Sequence, residues 1–212
     1  MREAVGRDGG RAARLLAVLV ALTALRHDPL PAQADTLPTG FGTLRRDDIA
    51  LRFSTDQLEV QILPLDEQVI RLLASDTYRS LESLIRSRQA EVATQARRVG
   101  LQQPTLVMVT FHGLAAGARF VPEDLGVLSR GRLFRPQSIV PLSPTWSTLQ
   151  LDQREQAVAI YLFEDGIGWF EDLTVQYAAV SNRLWTRSVQ LLREERARVL
   201  ARAQSQPARP NP

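Results

Sequence analysis

The amino-acid sequence predicts an α+β fold: an immunoglobulin-like antiparallel β-sandwich with an inserted helical segment and a C-terminal helix. Three observations point there. Between residues 104 and 177, short apolar runs are punctuated by Pro and Gly, the grammar of antiparallel strands and turns. Helical periodicity is confined to two stretches, 66–99 and 184–202. Strands and helices therefore do not alternate along the chain, which disfavours a parallel sheet and leaves a partly open barrel as the alternative.

The first 34 residues read as a cleavable secretory signal. Arg2, Arg7, Arg11 and Arg14 make a basic region, and Leu15 to Leu25 an uncharged apolar run. Pro29 and Pro31 keep the chain extended, and Ala32-Gln33-Ala34 places small residues where a signal peptidase requires them. A spanning helix needs about 20 apolar residues, and this run stops at Arg26, so no stable membrane insertion is expected after cleavage. There is no Cys for a lipid anchor and no arginine pair for twin-arginine export. The working molecule is expected to begin at Asp35, in the periplasm or outside the cell.

Composition excludes several chemistries. All 26 basic residues are Arg, and 23 acids nearly balance them. Without the signal the net charge falls to about +1, too little to favour nucleic acid or an acidic membrane. No Lys means no Schiff base and no phosphate-loop lysine. No Cys means no thiol nucleophile, disulfide or thiolate metal site, so an exported chain of this kind depends on its packed core. Residues 46–202 are long enough to build that core as one domain.

The elements follow in order. Residues 35–45 carry Pro, Thr and Gly without periodicity and are expected to form a flexible lead-in. Ile49, Leu51 and Phe53, then Leu58, Val60 and Ile62, alternate about a polar turn, predicting a hairpin over 49–63. After Pro64 the period lengthens. A short helical run carries Val69, Ile70 and Leu73, and Ser75-Asp76 offers a fresh N-cap. Tyr78, Leu81, Ile85, Val92, Ala96 and Val99 mark one face of a longer helix, with Glu82 and Arg86 paired outside and Gly100 able to end it. Segments 104–112 and 157–163 are apolar enough for central strands. Shorter strands are expected near 120–121, 125–128, 133–134, 138–140, 146–151 and 173–177. A last helix over 184–202 has Trp185, Val189, Leu192 and Val199 on one face and a Glu194–Arg198 pair. Residues 203–212 are polar and Pro-rich, expected to be disordered.

The most suggestive chemistry lies in Glu164-Asp165-Gly166-Ile167-Gly168-Trp169-Phe170-Glu171-Asp172. Two acidic pairs flank a Gly-containing turn with an aromatic tip. Glu164, Asp165, Trp169, Glu171 and Asp172 are therefore the candidate binding residues, for calcium, for a sugar or for a partner surface. The glycines and aromatics between the acids do not match a calcium loop, and the plainer interpretation is a solvated turn. His112, the one histidine of the mature chain, has no nucleophile elbow or second metal ligand to serve. Arg130, Arg132 and Arg135 surround Gly131 as a possible anion site. Trp146 and Trp185 are assigned to the core.

The function expected from these features is an exported, non-catalytic envelope or periplasmic binding protein, partnered by a protein or glycan and using no cofactor or metal. A small secreted hydrolase using carboxylates such as Glu164 or Glu171, and a self-assembling envelope component, are the alternatives.

Overall fold

The computed structural model describes residues 37–205. The predicted signal peptide and the tail beyond Ser205 lie outside the described residues. Elements in chain order are α1 (Arg46–Ile49), β1 (Leu51–Ser54), β2 (Leu58–Pro64), α2 (Glu67–Ile70), α3 (Ser75–Arg98), β3 (Thr105–Gly113), β4 (Ala118–Arg119), β5 (Leu125–Ser129), β6 (Arg132–Phe134), β7 (Ser138–Pro141), β8 (Gln150–Leu151), β9 (Gln156–Phe163), β10 (Leu173–Tyr177), β11 (Val180–Asn182) and α4 (Trp185–Ser205). The fold is α+β, Cys-free and rich in strands, with antiparallel sheets and a C-terminal helix.

A five-stranded sheet runs β1-β2-β3-β9-β7, and a four-stranded sheet runs β11-β10-β5-β6. β4 and β8 form a separate two-stranded ribbon. The long apolar segments became the central strands β3 and β9, because a strand flanked on both sides and covered on its inner face and much of its outer one has little contact with water. Between the sheets, Phe111 of β3 stacks on Phe120 at 4.7 Å and lies 5.3 Å from the ring of Tyr177 of β10. Trp146 closes this cluster against Phe111, Phe120 and Tyr161. The Tyr161 hydroxyl is buried and donates to the Pro122 carbonyl, and desolvation drives its pKa far upward.

The outer face of the five-stranded sheet is divided. Leu63, Met108, Ile160 and Val140 form one buried row across β2, β3, β9 and β7. α3 lies along the β7 side, where Ser138 Oγ meets Gln95 Oε1 at 3.2 Å. Its buried side chains, Tyr78, Leu81, Val92 and Ala96, are those the periodicity predicts, while Val99 is exposed. The helix ends in a Schellman motif: Gly100 has φ +75°, Leu101 N–H donates to Ala96 O, and Gly100 N–H donates to Arg97 O. At its other end Ala74 is the capping position and makes no side-chain cap. Ser75 is already helical, and its hydroxyl donates to Gly40 O.

Other segments differ from their sequence-based expectations. Residues 37–45 are not a free lead-in: Leu37 and Leu44 are buried, and Gly42 and Leu44 bridge in parallel to Ala74 and Leu73. Two leucines seven residues apart give no strand or helix period, yet each fills a gap under the α2–α3 junction. Ile49 belongs to the α1 turn rather than the hairpin. Residues 144–148 form a 3-10 turn instead of a strand, with Pro144 at its start and Leu149 at φ +51° at its end; only Gln150 and Leu151 pair. Helix α4 continues to Ser205, three residues past the predicted end of ordered chain.

α4 lies against α1 and β10. Its fully buried Glu195 joins it to the segment 37–45: Oε1 accepts from Thr43 N at 3.0 Å, from Thr43 Oγ1 at 2.8 Å and from Arg202 Nη1 at 2.9 Å. Arg198 lies 3.5 Å from Oε2, and Arg202 also donates to the Phe41 carbonyl. Desolvation pushes the Glu195 carboxyl upward, but the hydrogen bonds from Arg202 and Thr43 outweigh it and hold the pKa below the ordinary value. Among the described residues no helix is long and apolar enough to cross a membrane.

Candidate functional site

The acidic turn and the arginine hairpin, read separately in the sequence, meet in the structure. Arg130 and Gly131 occupy the two-residue β5–β6 turn with φ of 52° and 75°, the left-handed pair that such hairpins favour. That turn presents its arginines to the 164–172 segment. Arg130 grips Glu171 through two bonds, Nε to Oε2 at 2.7 Å and Nη2 to Oε1 at 2.5 Å. Arg132 pairs with Glu164 and lies over the Phe134 ring at 4.8 Å. Gly168 leaves room for the first pair, since a Cβ there would stand 3.2 Å from both Arg130 nitrogens and from Glu171 Oε2. The Arg130 hydrogen bond holds Glu171 below the usual carboxylate range.

The other candidate residues do not complete a site. Asp165 accepts from the Gly166 N–H, and Asp172 is exposed. Trp169 is not an exposed tip but core: it is 4% exposed, packs edge-on against Trp185 at 5.5 Å, and its carbonyl accepts from Trp185 Nε1 at 3.1 Å. The neighbouring glycines suggest a loop tip in sequence, but here they let the chain turn inward beneath α4. Trp146 and Trp185 are buried too, so none of the three tryptophans offers a surface for sugar stacking. Among the described residues no three acidic or histidine side chains converge to hold a metal ion.

A different surface carries the unengaged polar groups. Two rows cross the part of the five-stranded sheet that α3 leaves open: Arg52, Gln61, Thr110 and Val158, then Ser54, Glu59, His112 and Gln156. Residues two apart on a strand share a face, so both rows point the same way. All but Ser54 and Glu59 of these floor a groove of about 530 Å³ walled by Arg46 and Asp47 of α1, by Leu84 of α3, and by Leu142 and Ser143. Thr110 is 5% exposed and Gln61 9%, unusual burial for polar side chains in mid-sheet.

Part of this groove is internally satisfied. Asp47 Oδ1 pairs with Arg52 at 2.6 Å, and the Gln61 amide oxygen, turned toward Arg52, accepts from its Nε and Nη2 at 3.3 and 3.1 Å. The rest is not. The Thr110 hydroxyl, the His112 ring and the Gln156 amide have no hydrogen-bond partner among the described residues. Arg46 meets only the Met108 sulfur, at 3.8 Å. Desolvation against the sheet lowers the Arg46 pKa; neighbouring Asp47 raises it and Arg52 lowers it again.

Of these groups the sequence singled out only His112, and as a structural residue. The signal for the others was the alternation Met108, Thr110, His112 inside an otherwise continuous apolar run, which needs the register with Gln61 and Gln156 to be recognised. A second groove, about 620 Å³, lies between α1 and α4, where Arg52 and Arg187 are offset by Asp47, Asp48 and Glu194. Neither a family model nor a curated protein nor a solved structure matches the chain.

Proposed function

We propose that this chain is an exported, non-catalytic binding protein of the periplasm or cell envelope, and that its ligand occupies the open groove on the five-stranded sheet. One observation carries this: the groove holds several polar side chains with no hydrogen-bond partner among the described residues. Thr110 is buried, His112 half-buried and Gln156 exposed, and a half-covered sheet face presents them to a ligand at fixed spacing. Export rests on the arginines, apolar run and Ala-x-Ala triplet of residues 1–34. The two sheets enter the same proposal as an immunoglobulin-like sandwich. Antiparallel pairing and a shared aromatic core support that kinship; the β1-β2-β3 meander within one sheet departs from it.

A protein partner fits better than a glycan, because no Phe, Tyr or Trp ring lines the groove and the tryptophans are in the core. The hydrolase alternative is weakened by the same geometry. Glu164 and Glu171 are each tied to an arginine, and Glu171, held ionised, lacks the proton a general acid must deliver. A photo-crosslinking residue at Gln156, compared with one at exposed Glu91 on α3, tests the binding surface in cells. A discrete adduct from position 156 alone is expected; no adduct, or the same adduct from both positions, would sink the proposal. Edman sequencing of the native protein, expected to begin at Asp35, tests the export half.

A further inference from the structure

We infer that the groove on the five-stranded sheet takes an acidic peptide, with Arg46 as the anchor for its carboxylate. This rests on the groove being the binding surface, and it adds the chemistry of what binds there. Three features carry it.

The first is charge. Two guanidinium groups border the groove, and one is already neutralised: Arg52 is held by Asp47 at 2.6 Å and by the Gln61 amide oxygen. Among the described residues Arg46 donates only to a thioether at 3.8 Å, with Asp47 nearby but committed to Arg52, although a guanidinium carries five donors in a planar fork that matches a carboxylate edge. The lowering of its pKa agrees, since its surroundings disfavour the charge and an incoming anion would favour it. The second is the floor. A hydroxyl, an imidazole and a primary amide, at Thr110, His112 and Gln156, can each donate or accept, so they suit the alternating N–H and C=O groups of an extended peptide. The third is the wall. Leu84 and Leu142 give apolar contact without a Phe, Tyr or Trp plate, which accommodates aliphatic peptide stems better than a stacked sugar ring. The volume of about 530 Å³ suits a few residues rather than a folded domain.

The test uses the ¹⁵N-labelled full chain and two probes, N-acetyl-Gly-Glu-Gly-amide and its Gln counterpart, which differ only in charge. The Glu peptide should shift the backbone signals of Thr110, His112 and Gln156 saturably and bind about tenfold more tightly than the Gln peptide, the difference expected for a charge-assisted bond. Arg46→Gln, with unchanged thermal stability, should erase that preference, whereas Arg187→Gln in the other groove should leave it intact. Equal affinity of the two peptides at these signals overturns the acid preference and leaves the groove as a binding surface. No groove shifts from either peptide at about 10 mM overturns the inference, and crosslinking from position 156 then decides the groove separately. Glucuronate binding there as tightly as the Glu peptide overturns the commitment to a peptide.

Discussion

Gly42→Ala isolates the contact that binds residues 37–45 to the domain. The added Cβ would lie 2.3 Å from the carbonyl carbon of Leu72, 2.4 Å from its oxygen and 2.5 Å from the oxygen of Leu73. All three are main-chain atoms in the α2–α3 junction, itself fixed by bonds from Leu72 N to Val69 O and Leu73 N to Ile70 O, both 3.1 Å. No side chain is available to swing aside. Carbon contacts become comfortable near 3.5 Å, so the two main chains must part by about 1 Å. If they part only locally, overpacking costs about 1–3 kcal/mol, at the upper end for rigid backbone. If the segment detaches, two backbone bonds of about 1 kcal/mol each are lost, Leu44 N to Leu72 O and Ala74 N to Leu44 O. Exposing Leu37 and Leu44 adds about 2 kcal/mol each, and the bonds of Thr43 to Glu195 and of Phe41 to Arg202 are lost as well, so detachment would cost more than about 6 kcal/mol. The cheaper response sets the outcome, about 3 kcal/mol, or a fall in melting temperature of about 6–12 °C for a domain of this size. Urea unfolding with an unchanged m-value measures it, and faster tryptic cleavage at Arg45 reports the loosened segment. Gly131→Ala is the control: it has φ +75° but open space around it, so it pays only backbone strain of about 1 kcal/mol. A Gly42→Ala protein no less stable than Gly131→Ala, and cut no faster than the parent, would refute the reasoning.

Glu195→Gln keeps the shape of the buried carboxylate but removes its charge, and should destabilise by about 1.5–3 kcal/mol in the same urea assay; a neutral effect would show that the Thr43 and Arg202 bonds contribute little. Because the folded pKa of Glu195 lies below its unfolded value, its stabilisation is complete above the unfolded pKa and fades as pH falls through the folded one. Stability should therefore drop on acidification below about pH 4.5, and less steeply in Glu195→Gln. Trp169→Ala should cost about 3–5 kcal/mol as a core truncation; a near-neutral result would return Trp169 to the surface. Acrylamide should quench the fluorescence of the native protein weakly, since all three tryptophans are at least nine-tenths buried.

Legibility from the sequence followed the reach of each interaction. The hairpin, the kink before α3, the Gly100 stop, the central strands and α4 are all set by neighbours within a few residues, and periodicity finds them. Contacts that join distant segments leave no such trace. Glu195 reads as one of several acids in a charged helix, and only Thr43, 152 residues away, makes it a buried ligand of backbone and arginine. Trp169 sits between acids and glycines that imply exposure, and the partner that buries it, Trp185, lies beyond β10 and β11. The two halves of the Arg130–Glu171 pair were each visible, but their meeting was not. The groove was hidden for the same reason: its floor is contributed by β2, β3 and β9, and strand register brings Gln61, Thr110 and Gln156 side by side.

The Thr43–Glu195 and Phe41–Arg202 bonds tie residues 41–43 to α4. During synthesis, residues 41–44 cannot meet Glu195 and Arg202 until nearly everything else has emerged, and closing so long a loop is slow. Until then Leu44 is held by its bonds to Leu72 and Ala74, while Phe41 and Thr43 lack their partners on α4. A contact of such sequence separation makes the joining of residues 41–44 to α4 a late step of folding.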